Sequence, residues 1–228
     1  MNKLSAFVRL DVVTIKPYLT AKNLLTYLAI ALFIAISSGS ATAVATVGMM
    51  FGMMFSTYPF SLGEKSGLDA LYAVLSLNRR AVVLGRYLFA LVLDVCIVLL
   101  MNVLALVCVP IGGLLAQSAT YGVTAGELMW MSMGIAAVLL VIQAVQLPIY
   151  FRHGYSKGRF LSMIPFMVLM TASLAVSSLL EEGARERVAQ LVSSLSNGWL
   201  VAGAALALGL MTYISYRLSL AAYAKREF

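Results

Sequence analysis

The chain has 228 residues, of which 62% are hydrophobic and only 11% are charged, and its mean hydropathy is +0.95. A water-soluble domain carries about 25% charged residues, so this much apolar surface requires a bilayer as its solvent and excludes an ordinary soluble protein. The net charge of +7 does not point to nucleic acid, because the basic residues stand beside apolar runs, where they act as orientation signals.

The first twenty residues, "MNKLSAFVRLDVVTIKPYLT", contain no uninterrupted apolar stretch followed by a small-residue cleavage site, so no signal peptide is expected. Leu4, Phe7, Val8, Val12 and Ile15 share one helical face, with Arg9 and Lys16 off it and Asp11 intruding on it. Residues 1–20 are therefore expected to lie as a basic amphipathic helix in the cytoplasmic headgroup layer, with a bend at Pro17. Six apolar runs follow, at about 23–38, 39–60, 82–107, 127–150, 160–180 and 197–217, each about long enough for a bilayer core, the first being short. The uncharged joint "SSGSAT" makes the first two a tight helical hairpin. Gly112 and Gly113, after Pro110, are expected to break the third.

Fourteen of the sixteen basic residues fall on one side of this arrangement: Lys3, Arg9, Lys16 and Lys22; Lys65, Arg79, Arg80 and Arg86; Arg152, Lys157 and Arg159; Arg217, Lys225 and Arg226. The other side has Arg185 and Arg187, accompanied by Glu181, Glu182 and Glu186. The positive-inside rule places both termini, the 61–81 connection and the 151–159 connection in the cytoplasm. The expectation is an all-α integral membrane fold of six transmembrane helices, with an N-terminal interfacial helix and an external amphipathic segment at 181–196. In that segment Ala184, Val188, Leu191, Val192 and Leu195 form one stripe.

"GMMFGMMF" at 48–55 contains Gly48-x-x-x-Gly52, a spacing that lets helices approach closely, either within the chain or between two copies of a permeating unit. Its four methionines have no His or Cys beside them, so no copper site is expected. Cys96 and Cys108 are twelve residues apart in one apolar run. A helix separates them by roughly 18 Å, too far to bridge within one copy. Asp94 stands about ten residues into the third run, a roughly 15 Å climb. An intramembrane carboxyl is costly and is a candidate for a substrate or gate contact or a proton relay. Gln143 and Gln146 on the fourth run are candidates to hydrogen-bond it, which would make it interhelical glue. The single histidine, His153, lies in a connection away from any buried serine, so an intramembrane hydrolase has no Ser/His pair. No catalytic or metal site is expected.

The polar stretch "EKSGLDALYAVLSLNRR" at 64–80 interrupts two apolar runs. Ser66 and Asp69 have capping-box spacing, and Leu68, Leu71, Tyr72 and Leu75 follow i, i+3, i+4, i+7. Asn78 suits the end of that helix, and Arg79 and Arg80 suit the negative end of its dipole. The spacing predicts a short amphipathic cytoplasmic helix, serving either as a lipid-resting anchor or as a docking helix for a partner's groove. "GEKSG" at 63–67 lacks the full G-x-x-x-x-G-K-S spacing and no strand precedes it, so it is no phosphate loop.

The longer run "FSLGEKSGLDALYAVLSLNRRAVVLGRYLFAL" resembles the segment between the second and third spans of ABC-2 type transporter permeases. It is similar in particular to the small six-span subgroup that exports lantibiotics and amphipathic peptides, whose pattern is an acidic residue and a short helix ending in "LYxxLSLxRxxVVxGRY". The tail "SYRLSLAAYAKREF" resembles that subgroup's ending, and the likeness extends over nearly the whole chain. The resemblance implies a single permease domain over 1–228, one transmembrane half of an exporter in a bacterial cytoplasmic membrane. It implies pairing with a second permease, as a homodimer or heterodimer, and with separate ABC ATPase subunits that bind the ATP and Mg. It implies further that Glu64, Asp69, Leu71, Tyr72, Leu75, Arg79 and Arg80 form an ATPase-coupling surface. The 151–159 connection, "FRHGYSKGR", would then be a second cytoplasmic contact or a phospholipid headgroup site. Two readings from other classes are a secondary carrier working through Asp94 and a membrane anchor that docks a cytoplasmic protein. No short motif encodes the cargo.

Overall fold

A computed structural model describes residues 20–67, 78–116, 122–179 and 197–225, together with Val13 and Lys16. These residues fold as helices α1 (Ala21–Ser38), α2 (Ala41–Lys65), α3 (Arg79–Ala116), α4 (Ala125–Leu179) and α5 (Asn197–Ala224), and no strand occurs among them. Among the described residues, five helices are long and apolar enough to cross a membrane. The expected N-terminal interfacial helix with its bend at Pro17, the middle of the 61–81 connection and the external segment at 181–196 lie outside the described residues.

The joint between α1 and α2 is as tight as its composition implies. Gly39 caps α1 with φ 62° and ψ 12°, and its N–H donates to the Ala35 carbonyl at 2.9 Å. This left-handed conformation suits glycine, which has no Cβ to collide with the preceding turn. Helix α2 then continues through Pro59 to Lys65, so residues 61–65 of the expected connection are still helix. A proline removes one backbone bond, which packing against neighbouring helices makes tolerable in a membrane.

Helix α3 also outlasts its expected end. It runs unbroken through Pro110, Gly112 and Gly113 to Ala116. Gly112 serves packing here: a Cβ placed on it would lie 3.1 Å from the carbonyl carbon and oxygen of Ala35 on α1. The two backbones therefore touch, and that contact supports the last turns of α3. Its 38 residues span about 57 Å against an apolar core of about 30 Å.

Helix α4 contains both the fourth and the fifth expected runs. Its helical geometry is broken at Gly154, with φ 76° and ψ 178°. That backbone region is open almost only to glycine. Beyond it the chain doubles back. A Cβ on Gly158 would sit 2.7 Å from Tyr150 Cδ1, and the Tyr150 hydroxyl is 3.1 Å from Ser162 Oγ. The expected 151–159 connection is thus two helical limbs meeting at one residue.

The main core joins α1, α2, α3 and the first limb of α4, through Ala35, Val44, Met101, Ala105, Ile135 and Leu139. A second core, at the basic end, gathers Val83, Tyr87, Leu147, Phe151 and Tyr223. The outer surfaces are apolar: Phe33, Leu99, Leu114, Trp199, Leu206 and Leu210 are all exposed, as lipid contact requires.

Candidate functional site

The two ends of the polar connection are held by bonds that its sequence pattern did not suggest. Ser66, expected to open a helix with Asp69, closes the preceding one. Its N–H and its hydroxyl both bond back to the Leu62 carbonyl, and its φ of −98° and ψ of 3° are not those of an N-cap. Asn78, expected to end the connecting helix, opens α3, where its Oδ1 accepts from the Arg80 N–H at 3.0 Å. Arg79 and Arg80 consequently belong to the first turn of α3. Ser and Asn serve as caps in both directions, and here the long neighbouring helices claim them. Asp69, Leu71, Tyr72 and Leu75 lie outside the described residues.

Each end is also tied to a distant helix. The Glu64 carboxylate accepts from the Tyr155 N–H at 2.5 Å, from the Ser156 N–H at 3.1 Å and from the Ser156 hydroxyl. These are the first free N–H groups after the Gly154 bend, so Glu64 caps the second limb of α4 and complements its dipole. At the other end, Arg79 Nη1 donates to the Ala224 carbonyl, where α5 leaves its last carbonyls unsatisfied. Glu64 and Arg79, expected on a partner-facing surface, thus bind the connection to α4 and α5 within this chain. Arg80 is exposed.

Behind these ties lies an aromatic layer. Phe60 stacks near Tyr150 and Phe151 at ring-centre distances of 5.4 and 5.1 Å, and Phe151 meets Tyr223 at 5.4 Å. Arg86 is buried with its guanidinium 4.9 Å above the Phe60 ring, a cation–π contact. A hydroxyl relay links three helices just beyond. Ser215 donates to the Ala144 carbonyl at 2.7 Å, so Tyr87 donates to Ser215 at 2.6 Å and accepts from Ser219 at 2.8 Å. Sequence reasoning missed Arg86 as a buried residue and missed this relay. The signal was available in the tail, where Ser215, Ser219 and Tyr223 recur every fourth position, a polar stripe on one face of α5.

Farther from the basic end, Gln143 Nε2 donates to Asp94 Oδ1 at 2.6 Å, and both side chains are buried. Gln146 is half-buried on the same limb. Asn102 Nδ2 donates to Ser132 Oγ at 2.7 Å farther along the same antiparallel pair, so two polar bonds set the register of α3 against α4. Asp94 Oδ2 has no hydrogen-bond partner among the described residues. Gly48 faces Met101 of α3, where a Cβ would overlap Met101 Cγ and Sδ, and Gly52 faces Leu139 of α4, whose Cδ2 would be 2.9 Å from a Cβ. Both glycines therefore make close contacts inside the chain. No cluster of three potential metal-ligating His, Cys, Asp or Glu residues occurs among the described residues.

Lipid-facing apolar helices, buried polar bonds between them and a polar connection tied down at both ends define a multi-pass membrane protein. A family model described as ABC-2 family transporter protein matches residues 7–224, and the chain belongs to that family. It is accordingly a membrane permease of an ABC transporter, a transport subunit of the kind that works with an ABC ATPase and is not itself one. No curated protein and no solved structure matches the chain.

Proposed function

We propose that the chain is one transmembrane half of an exporter, in which the 66–78 connection carries motion from a partner ATPase into the bundle. The observation that carries this reading is the double tie on the connection: Glu64 to Tyr155 and Ser156 on one side, Arg79 to Ala224 on the other. A segment fixed at both ends to different helices passes a push to both, whereas a loose lipid anchor would dissipate it. In this reading Leu71, Tyr72 and Leu75 present an apolar stripe to the ATPase, with Asp69 and Arg80 orienting it. The ATPase holds the ATP and Mg. Its closure drives the connection, α4 and α5 as a unit and opens a pathway shared with a second permease, identical or related.

The two limbs of α4 count as separate spans in this reading. They give six in all, with both termini, the 66–78 connection and the Gly154 bend on the cytoplasmic side of a bacterial membrane, as the basic residues favour. The cargo class is an amphipathic peptide, lipid or drug-like molecule, in keeping with an apolar bundle whose mid-depth polar groups are few.

Co-expression with the cognate ATPase, followed by purification on a tag carried by the permease, tests the reading. The ATPase is expected to co-purify with the wild-type chain and to be lost from Leu71→Asp and Leu75→Asp. Co-purification and ATPase activity indifferent to both substitutions would remove the docking role. Transport that persists without any ATPase but disappears in Asp94→Asn would replace the exporter with a carrier.

A further inference from the structure

We infer that the cleft between the basic end of α2 and the second limb of α4 binds the headgroup of an anionic phospholipid, with one acyl chain lying along that limb. The cleft has a volume of about 510 Å³ and is lined by Ser61, Glu64, Lys65, Ser156, Arg159 and Phe160, with Tyr155 at its inner edge. Two cations and one acid therefore face it. The acid is already engaged, its oxygens accepting from the Tyr155 and Ser156 N–H groups and the Ser156 hydroxyl. What the cleft offers to a ligand is the ammonium of Lys65, the guanidinium of Arg159 and the Ser61 hydroxyl, a donor set suited to a phosphodiester.

A soluble phosphate would use only that donor set, but the surface beside it extends in one direction. The Arg159 guanidinium rests 5.1 Å from the centre of the Phe160 ring. From Phe160 the exposed residues Met163, Ile164 and Met167 follow at i+3, i+4 and i+7, a single apolar stripe leading away from the charges. Charge at one end and a continuous apolar strip from it match an amphiphilic anion lying in the leaflet. Exposed Arg152 and Lys157 stand close by in the chain and strengthen the field that draws such a lipid to this face. This site is independent of the ATPase-docking reading, since it requires neither nucleotide nor a partner.

The test uses the full chain, extracted from vesicles of equal phosphatidylglycerol and phosphatidylcholine, with retained lipid counted by native mass spectrometry. The wild type is expected to retain phosphatidylglycerol preferentially. The Lys65→Gln/Arg159→Gln double variant should lose that preference by roughly fivefold for each cation removed, while Lys65→Arg/Arg159→Lys keeps it and Arg217→Gln leaves it unchanged. The conservative pair shows whether the loss follows charge or misfolding. Excess inorganic phosphate should displace little of the lipid from the wild type, and Ile164→Ser with Met167→Ser should make the retained lipid easier to displace. Equal retention of the two lipids, or an unchanged preference in the double glutamine variant, would overturn the site. Complete displacement by phosphate with no effect of the stripe variants would do the same, since the cleft would then hold a soluble anion only.

Discussion

Gly48 and Gly112 both make close contacts in the bundle, and the chemistry of the facing atoms decides what each tolerates. At Gly48 the neighbour is the Met101 side chain, which has three rotatable bonds and can swing aside. At Gly112 it is the Ala35 backbone, which would lie 3.1 Å from an added methyl group and cannot yield without moving α1. Gly112→Ala should therefore cost about 1–3 kcal/mol and Gly48→Ala clearly less, although the nominal overlap at Gly48 is larger. Thermal unfolding of the two variants in the same detergent checks the order. Tyr87→Phe should cost roughly 0.6–1.7 kcal/mol, because the ring still fills its site while Ser219 loses its acceptor and Ser215 its incoming donor. A Ser219→Ala change made on top of Tyr87→Phe should add little in a double-mutant cycle. Asp94 was legible as a special residue from the sequence, since a carboxyl inside an apolar run invites a partner. Its choice of Gln143 was not legible, because Gln143 and Gln146 are only about 60° apart around a helix and the rotation of α4 decides between them.

At the scale of elements, the apolar runs announced the helices and left their ends open. Hydropathy marks the buried middle of a helix, whereas its end depends on which cap wins. Ser66 and Asn78 show this: each has the right chemistry to cap the helix expected in the connection, and each caps the longer helix beside it. The bend in α4 is similar. A connection of nine residues with two glycines reads as a loop, but one glycine at φ 76° reverses the chain and the other makes room for Tyr150. Gly154→Ala should consequently cost about 1–3 kcal/mol, seen as a lowered melting temperature. Glu64 holds the limb that begins there. Glu64→Ala removes an N-terminal cap and should cost about 0.5–2 kcal/mol, while Glu64→Gln, which keeps one acceptor oxygen, should cost less. Under the proposed mechanism the same change loosens the connection from α4, so transport per ATP hydrolysed should fall while the ATPase still co-purifies. An unchanged transport-to-hydrolysis ratio in Glu64→Ala would show that this tie carries no motion.

At the scale of the whole molecule, the basic residues and the bend in α4 both bear on the path of the chain across the membrane. The basic residues read from the sequence favour an even number of crossings, and the doubling back at Gly154 supplies the extra one only if both limbs of α4 cross. Tyr150, Gly158 and Ser162 lie together, so the limbs run side by side from the bend, and the second limb carries exposed Phe160, Ile164 and Met167 as a lipid-facing helix would. Chain direction then makes a definite prediction for single cysteines placed in a background with Cys96 and Cys108 replaced. Lys157→Cys and Lys225→Cys should react with a membrane-impermeant thiol reagent only in inside-out vesicles, and Gly122→Cys and Asn197→Cys only in intact cells. The informative pair is Lys157→Cys and Asn197→Cys. If the second limb crosses, the two label from opposite sides; if it rests on the surface, they label from the same side, and α5 must then run in the opposite direction, carrying Lys225 outside. The second outcome would put the end of α5 and Arg79 on opposite faces of the bilayer and would break the hydrogen bond between them. That one bond ties the direction of α5 to that of α3, so the side on which Lys225→Cys labels must also be the side of Arg79.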